Sequence, residues 1–168
     1  MTVDQISSAM QFSTSIGSNL FLELSKIRAL KMLWANIIKA FGGNEEAQKL
    51  TIHARTSRWT KSFYDPYVNI LRSTVKRLQL LLLGLIAYTL VRLLTFALPN
   101  EFSRRIARNI QLILQEEAQV SRTVDPAGGS AYVEHITAEI AQKSWELFQA
   151  IEEEGECCKR FKMVCHKS

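Results

Sequence analysis

Leu50-Thr51-Ile52-His53-Ala54-Arg55 is short, β-branched at its second and third residues and bounded by polar segments, the pattern of a buried strand. Upstream, Met10 to Ile16 alternates loosely through Met10, Phe12 and then Ser13-Thr14-Ser15, which predicts another short strand. Between the two, Gly17-Ser18-Asn19 reads as a turn and helix cap. Leu20, Leu24, Ile27, Leu30, Trp34, Ile37 and Phe41 then recur at three- and four-residue spacing, while Lys26, Lys31 and Lys39 face elsewhere. Gly42-Gly43 supplies the stop. Strand, helix, strand is a βαβ unit, with parallel strands expected near Met10–Ser15 and Leu50–Ala54. Units of this kind cross over right-handed, and their ligands sit beyond the carboxyl ends of the strands. Here that end is His53 to Ser57.

Further along, Asn100 caps a helix with Phe102, Ile106, Ile110 and Ile113 on one face, and Val133, Ile136, Ile140, Leu147 and Ile151 form the stripe of a last helix. Asp125-Pro126-Ala127-Gly128-Gly129 between them is a shaped turn, because proline sets one φ angle and the glycines reach conformations barred to other residues. Asp65-Pro66 and Asp125-Pro126 are read as turn and cap chemistry rather than carboxylate sites, and Glu152-Glu153-Glu154 as a solvated helix end. Leu78 to Leu98 stands apart. It is almost long enough to span a bilayer, yet Arg92 inside it would cost roughly 2.5–3.5 kcal/mol on insertion. Three readings stand for this stretch: a membrane anchor, an ordinary buried helix, or a displaced reading frame.

The totals bound the rest. The chain has 168 residues, 47% hydrophobic and 22% charged, which suits one globular domain and excludes disordered, collagen-like and disulfide-dense classes. A net charge of +5 is spread along the chain and selects no partner. Cys157, Cys158 and Cys165 are confined to the tail, an odd set that forms no disulfide framework, and the first residues lack the pattern of a signal peptide, so a cytoplasmic location is expected. The spacing of those cysteines with His166 matches no zinc finger, and no phosphate-binding glycine loop or nucleophile elbow occurs. Arg55, Arg58, Lys61, Arg72, Lys76 and Arg77 are the densest basic run, but they straddle a strand and a helix, so no nucleic-acid partner is expected.

Three blocks resemble the methylmalonyl-CoA mutase family: Ser15-Ile-Gly-Ser-Asn-Leu-Phe-Leu-Glu23 with Ala40-Phe-Gly-Gly-Asn-Glu-Glu-Ala47; Ile52-His-Ala-Arg-Thr-Ser57 with Tyr64-Asp-Pro-Tyr-Val-Asn-Ile-Leu-Arg72; and Leu98-Pro-Asn-Glu-Phe-Ser-Arg-Arg-Ile-Ala-Arg-Asn109 leading to Val124-Asp-Pro-Ala-Gly-Gly-Ser-Ala-Tyr-Val-Glu134. The resemblance lapses over 76–95 and 156–168. In the first window, Gly84-Leu-Ile-Ala-Tyr-Thr89 can be encoded so that a displaced frame spells Gly-Leu-Asp-Ser-Ile-His, a strand of the family. In the second, Phe161-Lys-Met-Val-Cys-His-Lys167 can conceal Gln-Asn-Gly-Met-Pro-Gln. The chain is therefore expected to be a single incomplete barrel segment with both windows out of frame.

The resemblance implies an α/β fold, a partial (β/α)8 TIM barrel fragment that is mostly helical by residue count, in which an acyl-CoA ester threads the barrel axis. It implies adenosylcobalamin as the family cofactor, bound by a domain absent from this chain, since Asp4, Asp65 and Asp125 lack the His and Gly of the Asp-x-His-x-x-Gly ligand motif. It also implies His53, Arg55, Thr56 and Ser57 as substrate-binding residues, because the matching strand of catalytic relatives carries His-x-Gln-Thr-Ser facing the thioester. Arg55 in place of the glutamine, and Ala9-Met10-Gln11 where catalytic relatives open with Arg-x-Ser, resemble the non-catalytic small subunit. A scaffold role without activity of its own follows, with the catalytic mutase subunit or the remainder of the barrel as partner. A small membrane-associated protein anchored by Leu78–Leu98 is the alternative.

Overall fold

The computed structural model describes residues 2–57, 59–65, 67–83, 88–89, 100–123 and 125–153. The elements are α1 (Val3–Ala9), β1 (Phe12–Ile16), α2 (Leu20–Ala40), β2 (Ile52–Thr56), α3 (Val68–Leu82), β3 (Tyr88–Thr89), α4 (Glu101–Leu112) and α5 (Ala131–Glu153). The content is mixed and mostly helical. Three strands form one parallel sheet in the order β1-β2-β3.

Both predicted strands exist, each starting two residues later than expected and ending one residue later in β1 and two in β2. The reason is local: Met10 closes α1, its N–H bonding the Ser7 carbonyl, so pairing starts where the Phe12 N–H meets the Thr51 carbonyl at 2.9 Å. Register then runs Phe12↔Ile52, Ser13↔His53, Thr14↔Ala54, Ser15↔Arg55 and Ile16↔Thr56. The crossover helix α2 begins as its cap residue dictates, with Asn19 Oδ1 accepting from the Leu22 N–H at 3.2 Å. It ends at Phe41, where Gly42 takes φ 76° and Gly43 lies so close to the Ile38 side chain that a Cβ would collide with it.

The core lies on one face of the sheet. Ile16, Ile52 and Ala54 pack with Leu24 and Ile27 of α2, Leu80 of α3 and Leu83 just beyond it. Each buried Leu or Ile contributes about 1.5–3 kcal/mol relative to exposure. Strands in sequential order with both intervening helices on one side leave the opposite face uncovered by α2 and α3. On the outer side of α2 lies α5, fastened by the Ser25 hydroxyl donating to the Val133 carbonyl at 3.4 Å and by Phe21 edge-on to Tyr132 at 5.3 Å. Arg28 binds both Asp125 and Glu134, which staples the Asp125–Gly129 turn and the start of α5 to α2.

Two helical stripes depart from the periodicity reading. The buried line of α5 is Val133, Thr137 and Ala141, and Leu147 is exposed, because the helix runs past what its first half packs against. On α4, Ile110 is buried while Phe102 and Ile113 are exposed. Most of Leu78–Leu98 lies outside the described residues, as does the 156–168 window with its three cysteines. Among the described residues, no helix is long and apolar enough to cross a membrane.

Candidate functional site

Strand alternation sorts the candidate residues. Ile52, Ala54 and Thr56 are buried on the helix side, so His53 and Arg55 turn to the other face. β1 obeys the same parity, with Phe12, Thr14 and Ile16 toward the helices and Ser13 and Ser15 exposed. Because register pairs Ser13 with His53 and Ser15 with Arg55, four polar side chains share one surface. The structure thus brings His53 and Arg55 together and separates Thr56 from them. Ser57 follows at the strand end, half-buried, its N–H bonding the Ile16 carbonyl at 2.9 Å. Ser13 and Ser15 were not singled out from the sequence as site residues, although their alternation with Phe12, Thr14 and Ile16 carried the signal.

The carboxyl end of the sheet is shaped by lysines. Lys26 Nζ donates to the Ser15 carbonyl at 3.0 Å and pairs with Glu23, occupying an acceptor at the β1 edge. Beyond β2, the Thr60 hydroxyl donates to the Ser57 carbonyl at 3.2 Å and accepts from Lys76. Lys76 and Arg77 are both buried in α3, which removes them from any basic surface and leaves the run read from the sequence without a common face. Burial, reinforced by the charge of Arg72, pushes the Lys76 ammonium below the ordinary lysine range. At the next turn, Asn69 bridges loop to helix, accepting from the Ser62 N–H at 3.0 Å and donating to the Ser62 carbonyl at 2.8 Å.

The Asp-Pro turns are structural. Asp65 Oδ1 caps α3 by accepting from the Val68 N–H at 3.3 Å, and Asp125 is held by Arg28. Burial works against the Arg28 charge, but hydrogen bonding and attraction to Asp125, then Glu134, outweigh it and raise its pKa. A cleft of about 830 Å³ opens beside this staple on the helix side, lined in part by Lys31, Met32, Leu50 and Leu83. Lys31 donates to the Leu83 carbonyl at 3.1 Å, and burial lowers its pKa.

The sequentially ordered parallel sheet, covered by helices on one face and polar on the other, defines a parallel α/β protein. The family model for methylmalonyl-CoA mutase matches residues 1–167. The chain is 37% identical over 155 residues to the methylmalonyl-CoA mutase small subunit of Porphyromonas gingivalis, covering 90% of this chain and 25% of that protein. It is 39% identical over 163 residues to the large subunit of Propionibacterium freudenreichii subsp. shermanii, covering 95% and 22%. With the methylmalonyl-CoA mutase of Cereibacter sphaeroides it shares 41% over 157 residues, covering 92% and 22%. The chain belongs to the methylmalonyl-CoA mutase family. It spans about a quarter of the length of these curated relatives or slightly less.

No Asp-x-His-x-x-Gly occurs, His135 stands on the exposed surface of α5 beside Glu139, and the described residues hold no cluster of three His, Cys, Asp or Glu side chains.

Proposed function

We propose that this chain is a segment of a (β/α)8 barrel that forms part of the wall facing an acyl-CoA thioester, and that it serves as scaffold without isomerase activity of its own. The observation that carries this reading is the one-sided packing of α2 and α3, with Ser13, Ser15, His53 and Arg55 in register on the opposite face. In a barrel the helix-covered face is outward and the other face of the strands lines the interior. The imidazole and guanidinium donate to carbonyl and phosphate oxygens, and the serine hydroxyls do the same with less charge. The remaining strands, and adenosylcobalamin, come from the rest of a mutase polypeptide or from a catalytic subunit. Acyl-CoA titration followed by backbone amide shifts tests this: perturbations are expected at 13, 15, 53, 55 and 57, with no conversion of methylmalonyl-CoA to succinyl-CoA when adenosylcobalamin is added. Turnover by the chain alone, or shifts confined to the cleft by Lys31, would overturn it.

We propose further that residues 76–95 and 156–168 are read out of frame. Support comes from the long polar side chains buried at the start of the first window, which follow the smaller buried Asn69 and Ser73. Lys76, Arg77 and Gln79 are all buried, starting where the resemblance stops, and both Gln79 amide atoms lack a hydrogen-bond partner among the described residues. An in-frame core helix does not usually carry such a run inward. The coding DNA decides the matter, since the displaced words must be present in it.

A further inference from the structure

Among the exposed apolar groups of the described residues are two helical stripes whose surroundings carry opposite charge. On α3, Tyr67, Leu71 and Val75 stand four residues apart on one face and are 63%, 66% and 51% exposed. All three precede the window at residue 76, so they belong to the part of the helix that matches the family. On α5, Trp145 and Phe148 stack at 5.4 Å, and Leu147 beside them is 58% exposed. Surface apolar residues scattered singly carry no message, but contiguous stripes mark interaction surfaces.

The charges select the pairing. Arg72 lies in the α3 stripe's own helix and Lys61 in the loop before it, while the adjacent helix α4 carries exposed Arg105 and Arg108. These outnumber Asp65 and Glu101 in the same region. The exposed half of α5 carries Glu146, Glu152 and Glu153 against Lys143. Pairing α5 with a second α5 would set the glutamates against their copies, and pairing α3 with a second α3 would do the same with Arg72. Like-charge juxtaposition of this kind costs several kcal/mol, on the order found at mismatched interfaces.

We propose that the occupant of the α3 stripe is a second copy of this chain, docking the exposed half of its α5. The two stripes are different surfaces, so the contact is heterologous: each copy offers one donor face and one acceptor face. Such contacts extend into rings or filaments rather than stopping at two. Added salt weakens them by screening the charges around the apolar centre.

Two variants of the full chain test this, Leu71→Glu to disable the α3 face and Phe148→Lys to disable the α5 face. Sedimentation of the unaltered chain is expected to show mass rising beyond two copies with concentration. Each variant alone should sediment as a monomer, because every contact needs both faces. Mixed in equal amounts they should form a species of two chains and no larger one, as the intact α5 of L71E meets the intact α3 of F148K. Circular dichroism checks that both retain their helices, and Val75→Glu with Trp145→Lys repeats the test at neighbouring positions. A monomeric unaltered chain, a mixture that stays monomeric, or a single variant that associates like the unaltered chain would each overturn the proposal. The last outcome would mean that a face pairs with itself or that another surface is responsible.

Discussion

At the residue scale, Lys76 shows how a single position can act against the fold that holds it. Its ammonium sits 3% exposed in α3, with the Thr60 hydroxyl as acceptor and Arg72 nearby. Desolvation of a charged group is costly, so Lys76→Met is expected to stabilise the chain by about 1–2 kcal/mol, measured as a higher urea midpoint. The pH dependence has a definite sign. The folded-state pKa of Lys76, like that of Lys31, lies below the ordinary 10.5, so between the two values the unfolded chain binds more protons than the folded one. Stability should therefore rise as pH climbs from neutral toward 10.5, the penalty being fully present below the folded pKa and relieved above it. K76M should show a smaller rise than the parent; an identical rise in both would assign the effect elsewhere. Nothing at position 76 in the sequence announces burial, since lysine is ordinarily a surface residue.

At the element scale, α2 was legible from its cap to its stop, and α3 was not. The first half of the α2 stripe points where its spacing says because Leu24 and Ile27 reach Ile16, Ile52 and Ala54, whereas Phe41 at its end is exposed and Ala29 and Ile38, off the stripe, are buried. Its start depends on Asn19, whose side chain accepts from the Leu22 N–H. Asn19→Ala is accordingly expected to cost about 1 kcal/mol in chemical denaturation, with Asn19→Ser close to neutral. By contrast, α3 turns Tyr67, Leu71 and Val75 outward and Asn69, Ser73, Lys76 and Arg77 inward. Periodicity locates a face but not the direction it takes. The short α1 was missed altogether, although Thr2 and Gln5 form the capping box that marks it.

For the whole molecule, the question is whether the sequence and the fold agree throughout. They agree up to α3, where Gln79 is buried with both amide atoms lacking a hydrogen-bond partner among the described residues. Replacing residues 76–95 with the sequence that the displaced frame of the coding DNA spells should remove two buried cations and this amide together. The expected gain is about 3–6 kcal/mol with a sharper unfolding transition, read by urea titration of the two full-length chains. An unchanged midpoint would count against the frame reading. A sheet whose strand order follows the chain also has two outer edges, and Lys26 at the Ser15 carbonyl covers only one acceptor of the β1 edge.

The sequence by itself determined the kind of unit present: two strands about a capped, glycine-ended helix, in blocks that resemble one family closely enough to name it. Those are local properties, set by periodicity, caps and turn residues within a few positions of one another. Only the tertiary structure decided which side each strand residue faces in concert with its neighbour. Thr56 lies buried while His53 and Arg55 share a surface with Ser13 and Ser15, because parallel pairing fixes a register between residues forty positions apart. That register is a long-range quantity, and no window along the sequence contains it.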